Sequence, residues 1–120
     1  MTRQPVVLVV DDEDNLRFVL ATALRLASWV VVEATTGAEL MRATQCYDFD
    51  LIVLDVMLPD TDGFALCRTL RAEGVETPVL FLSARDRAHD RLDGFAAGGS
   101  GYMTKPFDLD ELLARARALL

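Results

Sequence analysis

The amino-acid sequence predicts an α/β fold: one domain over residues 1–120, built on a doubly wound parallel sheet of five strands with helices on both faces. Three observations carry this. Short apolar runs rich in β-branched residues recur along the chain, and between them apolar residues return at every third and fourth position, the spacing of one helix face. No linker, repeat or low-complexity tract interrupts the alternation. Continuous apolar strands separated by helices are what a parallel sheet covered on both sides requires, with right-handed crossovers.

Taken in order, Val6–Val10 is the first run and stops at Asp11. Leu16, Val19, Leu20, Ala23, Leu24 and Ala27 then mark one face of a helix. Trp29–Val32 is a second run and Gly37–Gln45 a short helix. Leu51–Leu54 is the third run, ending at Asp55. Pro59, Asp60, Asp62 and Gly63 punctuate a loop. Leu66, Cys67 and Leu70 predict a helix closing near Gly74. Pro78–Leu82 is the fourth run, ending at Ser83. A helix through Ala88, Leu92, Phe95 and Ala96 stops at the glycine-rich stretch Gly98–Gly101, and Tyr102–Met103 is a weak fifth strand. Asp108, with Glu111 three positions on, reads as the capping box of a last helix. That helix is expected to bury Leu109, Leu112, Leu113, Ala116 and Leu120 and to turn Arg115 and Arg117 outward.

Composition narrows the function. A chain of 120 residues, 52% hydrophobic and 26% charged, buries a proper core, which excludes intrinsic disorder. A net charge of −7 is a poor match for a nucleic-acid backbone. No apolar run approaches the ~20 residues of a membrane span. The start, Met1 to Pro5, carries no apolar signal segment, so a cytoplasmic location and no membrane partner are expected. Cys46 and Cys67 stand in apolar-patterned segments and read as buried free thiols. Eleven of the twelve basic residues are Arg; the single Lys is Lys105.

In an open α/β sheet, sites form outside the carboxyl ends of the strands. Here those ends carry Asp11-Asp12, Asp55, Ser83 and Thr104-Lys105-Pro106. Clustered carboxylates repel, and a hard divalent cation such as Mg2+ relieves that repulsion. A carboxylate is also a nucleophile toward phosphorus, and the phosphoryl group it takes up is matched by Mg2+, an ammonium and a hydroxyl. Each residue alone has an ordinary reading. Asp11, Asp12 or Ser83 could cap a helix, Asp55 could belong to turn chemistry, and a lysine before proline is usually solvated. Their joint occurrence at four strand ends favours a common site.

At these positions the sequence strongly resembles the receiver domain of bacterial two-component response regulators. The motifs are Val9-Val10-Asp11-Asp12-Glu13, Leu54-Asp55-Val56-Met57-Leu58-Pro59-Asp60 with Asp62-Gly63, Leu82-Ser83-Ala84, and Thr104-Lys105-Pro106-Phe107. The resemblance covers essentially the whole chain. It implies a flavodoxin-like sheet of order 2-1-3-4-5 with five helices. It makes Asp55 the phosphoacceptor, supplied by a sensor histidine kinase. Mg2+ would be held by Asp12, Asp55 and the backbone carbonyl of Met57, with Asp11 acting through water. Lys105 would pair with the phosphoryl group, Ser83 would be the hydroxyl switch residue and Tyr102 the aromatic one. A cis Lys105–Pro106 bond is implied as well. Phosphorylation would change the surface of the fourth helix, fifth strand and fifth helix by biasing a two-state element.

Asp90-Arg91-Leu92-Asp93-Gly94-Phe95 and the ending from Asp108 to Arg117 look most like receivers of the OmpR/PhoB-like class, which precede a winged-helix DNA-binding domain. DNA would then be met only through a domain outside this chain, and the chain would be a piece of a longer regulator; the alternative is a stand-alone receiver in a phosphorelay. That class dimerises through the fourth helix, fifth strand and fifth helix with salt bridges, for which Arg91, Glu111 and Arg115 are available. Where the class has Gly-Ala-Asp-Asp-Tyr, this chain has Gly98-Gly99-Ser100-Gly101-Tyr102, so two acidic partners are missing. Exposed ion pairs are each worth about 0–1 kcal/mol, so the loss weakens such a dimer rather than abolishing it. Ser28-Trp29 stands where Gly and a smaller aromatic are common, and is expected to alter one turn. Met57 and Arg85 would flank the phosphoryl pocket. His89, the only histidine, is too isolated to be a phosphodonor.

Two further readings compete. A Mg2+-dependent aspartyl phosphatase would carry a second Asp two residues after the nucleophile, where this chain has Met57. An interaction module without phosphorylation would have lost the acidic pocket or the lysine, and both are present. The chain is therefore expected not to be an enzyme.

Overall fold

The strands are β1 (Val6–Val10), β2 (Val30–Ala34), β3 (Leu51–Asp55), β4 (Val79–Ser83) and β5 (Gly101–Thr104); the helices are α1 (Asp14–Leu26), α2 (Gly37–Cys46), α3 (Gly63–Ala72), α4 (Ala88–Ala96) and α5 (Leu109–Leu119). The computed structural model describes residues 3–84 and 88–120, without the side chains of Ala88 and His89. Arg85 and the side chain of His89, both singled out above, lie outside the described residues.

All five strands are parallel, in the order β2-β1-β3-β4-β5. Because strand side chains alternate between faces, each apolar run feeds two cores. Leu8, Val10, Ile52, Leu54 and Phe81 point to one face and pack with Leu40 of α2 and with Phe64, Cys67 and Leu70 of α3. Val7, Val9, Leu51, Val53, Leu80 and Leu82 point to the other and pack with Leu20 and Leu24 of α1 and with Leu112 and Ala116 of α5. The central strands β3 and β4 are buried along their whole length, which is why they read as unbroken apolar runs.

Helix starts follow local chemistry. Thr36, Asp62 and Asp108 each accept backbone amides of the first turn of α2, α3 and α5. At Asp108 the expected cap forms with the amides of Asp110 and Glu111, while the Glu111 carboxylate accepts from Arg115 one turn on.

Four expectations shift. The second strand begins at Val30, because the Trp29 amide donates to the Leu24 carbonyl and belongs to the end of α1. It runs on through Glu33, whose carboxylate meets Arg17 and Arg25 at the sheet edge; a charged side chain on an edge strand breaks the apolar pattern without ending the strand. Cys46 is exposed, since it closes α2 on the solvent side, whereas Cys67 is buried as expected. Val19 and Leu120 are exposed rather than buried, Val19 beside the outer rim of α1 and Leu120 just past the last turn of α5.

Ser28 ends α1 with φ +70°, the left-handed region that favours glycine. Ser28→Gly is therefore expected to stabilise the protein by about 1 kcal/mol, measured as a higher urea midpoint at unchanged m-value. A lower midpoint would show that the serine side chain contributes more than the backbone conformation costs.

Candidate functional site at the carboxyl edge of the sheet

Strand register builds the site. Val10 pairs with Leu54, so Asp11, the next residue, comes abreast of Asp55. Asp55 lies beside Leu82, and Ser83 beside Thr104. The Lys105 amide donates to the Ser83 carbonyl at 2.7 Å, which carries the chain from β5 back over β4. The Lys105–Pro106 bond is cis. Residues far apart in sequence thereby share one edge.

There the Lys105 ammonium donates to Asp55 Oδ2 at 2.9 Å and to Asp11 Oδ2 at 3.1 Å. Both carboxylates are buried, at 5% and 1% exposure. Each has a second backbone partner: the Met57 amide donates to Asp55 Oδ1 at 3.0 Å, and the Glu13 amide to Asp11 Oδ1 at 2.9 Å. Asp12 is exposed at the rim, yet Asp11, Asp12 and Asp55 each offer an oxygen within 4.8 Å of the others. The structure thus brings together Asp11, Asp12, Asp55 and Lys105. Met57 follows at once, its side chain exposed and its backbone bridged to Asp62. Gly63 packs beneath: a Cβ there would lie 2.6 Å from the Asp55 carbonyl oxygen, so this turn admits only glycine without rearrangement.

Ser83 is fully buried at the end of β4. Tyr102 sits on β5, one strand further from Asp55. Its ring is buried, with centroids 6.4 Å from those of Phe64 and Phe81 and the Arg91 guanidinium 5.9 Å above it. Arg91 also donates to Thr104 Oγ1 at 3.3 Å. Arg115 pairs with Glu111 along α5 at 3.0 Å.

Two contributors were not found from sequence. Arg17 donates through Nη1 to the Asp11 carbonyl at 2.9 Å while pairing with Asp14 and Glu33, so it fixes the backbone that presents the acidic pair. Its i,i+3 spacing from Asp14 was a readable signal; its reach back to Asp11 was not. Asp60 accepts the amides of Gly37 and Ala38, more than twenty residues away, and nothing local announces it.

Burial pushes the Asp55 carboxyl up, and the Asp11 charge adds to it; the Lys105 bond and the Met57 amide only partly offset them. For Lys105, burial pulls downward, but the bonds to Asp55 and Asp11 outweigh it and the ammonium titrates above its usual value. The signs for stability follow by linkage. The folded state holds a proton on Asp55 more tightly than the unfolded chain, so Asp55 costs stability above its raised pKa and that cost disappears as pH falls toward 3.8. Lys105 contributes stability that is fully present below pH 10.5 and lost as pH rises through its raised value. Asn mimics the protonated Asp55, and Asp11 still pairs with Lys105. Asp55→Asn is therefore expected to be more stable at pH 7, by on the order of 1 kcal/mol, with the gap closing toward pH 4. Urea midpoints across that range in metal-free buffer check this, and a less stable variant at pH 7 refutes it.

Comparison with known proteins agrees with this geometry. Residues 7–117 match the family model described as the response regulator receiver domain. The chain is 46% identical over 114 residues to transcriptional regulatory protein TrcR of Mycobacterium tuberculosis, covering 95% of this chain and 44% of that protein. Among solved structures, a Francisella response regulator receiver domain superposes with a TM-score of 0.93 at 34% identity, covering 97% and 96% of the two chains. Response regulator DrrB, described as a Thermotoga maritima OmpR/PhoB homolog, gives a TM-score of 0.87 at 34% identity, over 96% of this chain and 52% of that one. The chain spans about half the length of the curated relatives it matches. It belongs to the response regulator receiver domains of two-component signal transduction.

Proposed function

We propose that Asp55 is the phosphoacceptor of this receiver, loaded by a sensor histidine kinase. The observation that carries the reading is the single lysine bonded to both buried carboxylates at the sheet edge. An Asp55 oxygen attacks phosphorus of a phosphohistidine; a P–O bond forms, the P–N bond breaks and the imidazole leaves. Lys105 then turns its ammonium toward the new phosphoryl oxygens, and the Ser83 hydroxyl donates to one of them.

The donor set fits Mg2+: three carboxylates within 4.8 Å of one another are hard oxygen donors, and one ammonium cannot neutralise all three. Asp12, Asp55 and the Met57 carbonyl would hold the ion, with Asp11 linked through water. Bound there, it would neutralise charge on the phosphoryl oxygens and orient them. Asp12 suits direct binding because it is exposed at the rim, whereas Asp11 is already committed to Lys105 and the Glu13 amide. A phosphatase needs a second acid two residues after Asp55, where Met57 stands, so the receiver reads as a switch rather than an enzyme.

Ser83 and Tyr102 relay the change to the face of α4, β5 and α5, through which phosphorylation would favour a homodimer. The output is DNA-binding transcriptional control by a further domain, in the cytoplasm, as the chain's relatives among transcriptional regulators suggest. Residues 1–120 act as one unit, and among the described residues no helix is long and apolar enough to cross a membrane.

With acetyl phosphate and Mg2+, the protein is expected to gain the mass of one phosphoryl group, labile to base. Asp55→Asn should abolish the gain, and Asp12→Ala should raise the Mg2+ concentration it requires about tenfold or more. Intact-protein mass spectrometry reads both. Undiminished labelling of Asp55→Asn overturns the assignment.

A further inference from the structure

The loop after Asp55 is tied down at several points. Asp62 caps α3, Met57 bridges to Asp62, the Leu58 amide reaches the Thr61 carbonyl, and the Gly63 amide reaches the Val56 carbonyl. These ties are internal to the loop and the start of α3. Asp60 provides a different one. Its carboxylate accepts the amides of Gly37 at 2.8 Å and Ala38 at 3.1 Å, across the loop, at the first turn of α2.

Those amides are among the four at a helix start with no partner inside the helix. The helix's own cap, Thr36, serves a different one, Glu39. Asp60 therefore completes the cap of α2 from a distance, where its negative charge also favours the helix dipole, and these amides hold its carboxyl below the usual range. Leu40 anchors α2 in the core. The loop is thereby fastened to a rigid body of the fold.

We propose that Asp60 is a positioning residue for the metal site: its tie to α2 holds the Met57 backbone where its carbonyl can face a cation beside Asp12 and Asp55. The inference rests on the Mg2+ reading given above. Met57 lies three residues from Asp60, and its amide already bonds Asp55, so freedom at Asp60 reaches the Met57 peptide directly. A positioned backbone ligand needs such outer support, and its loss typically costs 10- to 100-fold in affinity.

The test is a Mg2+ titration of the whole chain, followed by amide chemical shifts of Glu13 and Val56, with Tm measured beside it. Asp60→Ala is expected to weaken Mg2+ binding about tenfold. Asp60→Asn keeps an oxygen for the Gly37 amide and should recover most of the affinity. Thr36→Ala removes the local cap of the same helix; it should lower Tm but leave Mg2+ affinity unchanged. Faster amide exchange at Met57 in metal-free Asp60→Ala is also expected. Equal Mg2+ affinity in wild type and Asp60→Ala overturns the proposal, as does equal weakening by Thr36→Ala, which would mark a general loss of α2. Failure of the wild type itself to bind Mg2+ removes the metal reading, and the proposal with it.

Discussion

Two buried carboxylates facing one ammonium is the constraint around which the carboxyl edge is arranged. Asp11 and Asp55 are almost wholly withdrawn from water, and leaving either charge uncompensated there would cost several kcal/mol. Lys105 offsets part of this for both at once. A compact ammonium on a flexible stem can sit between two acceptors from different strands, whereas the planar fork of arginine favours bidentate pairing with one. In a chain whose other basic residues are all arginine, the lone lysine stands at the position where that difference matters.

The backbone around the pair is equally committed. Register sets Asp11 beside Asp55, and a slip of one residue would send each side chain to the other face of the sheet. Arg17 grips the Asp11 carbonyl, and the Lys105 amide is held by Ser83. These bonds fix the positions of charges before any ligand arrives, and pre-set dipoles need no reorganisation when charge develops. Burial, with the neighbouring Asp11 charge, raises the Asp55 carboxyl, so its charged form would gain from added positive charge.

Much of this was legible in the sequence because the informative residues sit at strand ends. Apolar runs locate the five strands, and the ends of four of them carry Asp11, Asp55, Ser83 and Lys105, which the fold class sets on one edge. Legibility failed where partners are distant or patterns mixed. Glu33 hid the end of β2 because its charge is satisfied by arginines of α1. Cys46 sits in an apolar-looking stretch, but its position in the last turn of α2 faces water. Asp60 reads as a turn residue, and only the folded chain shows α2 arriving at its carboxylate. The glycine-rich stretch after α4 shows no anchor in the sequence. Gly98 adopts φ +96° and its carbonyl takes two bonds from Arg71, so that segment is anchored to α3.

The face of α4, β5 and α5 shows how charge at the site meets packing elsewhere. Ser83 and Lys105 are joined through the backbone, and Tyr102 lies on β5, three residues before Lys105. The Tyr102 ring there is packed against Phe64, Phe81 and Arg91. On the outer side of α4, Leu92 and Phe95 are 67% and 55% exposed. Arg115 is already paired with Glu111 within α5, and the acidic pair common in this class is replaced by Ser100 and Gly101. An exposed ion pair contributes about 0–1 kcal/mol, whereas burying one large apolar side chain contributes about 1.5–3 kcal/mol. By that comparison, the proposed assembly through this face would draw its energy from Leu92 and Phe95 more than from salt bridges.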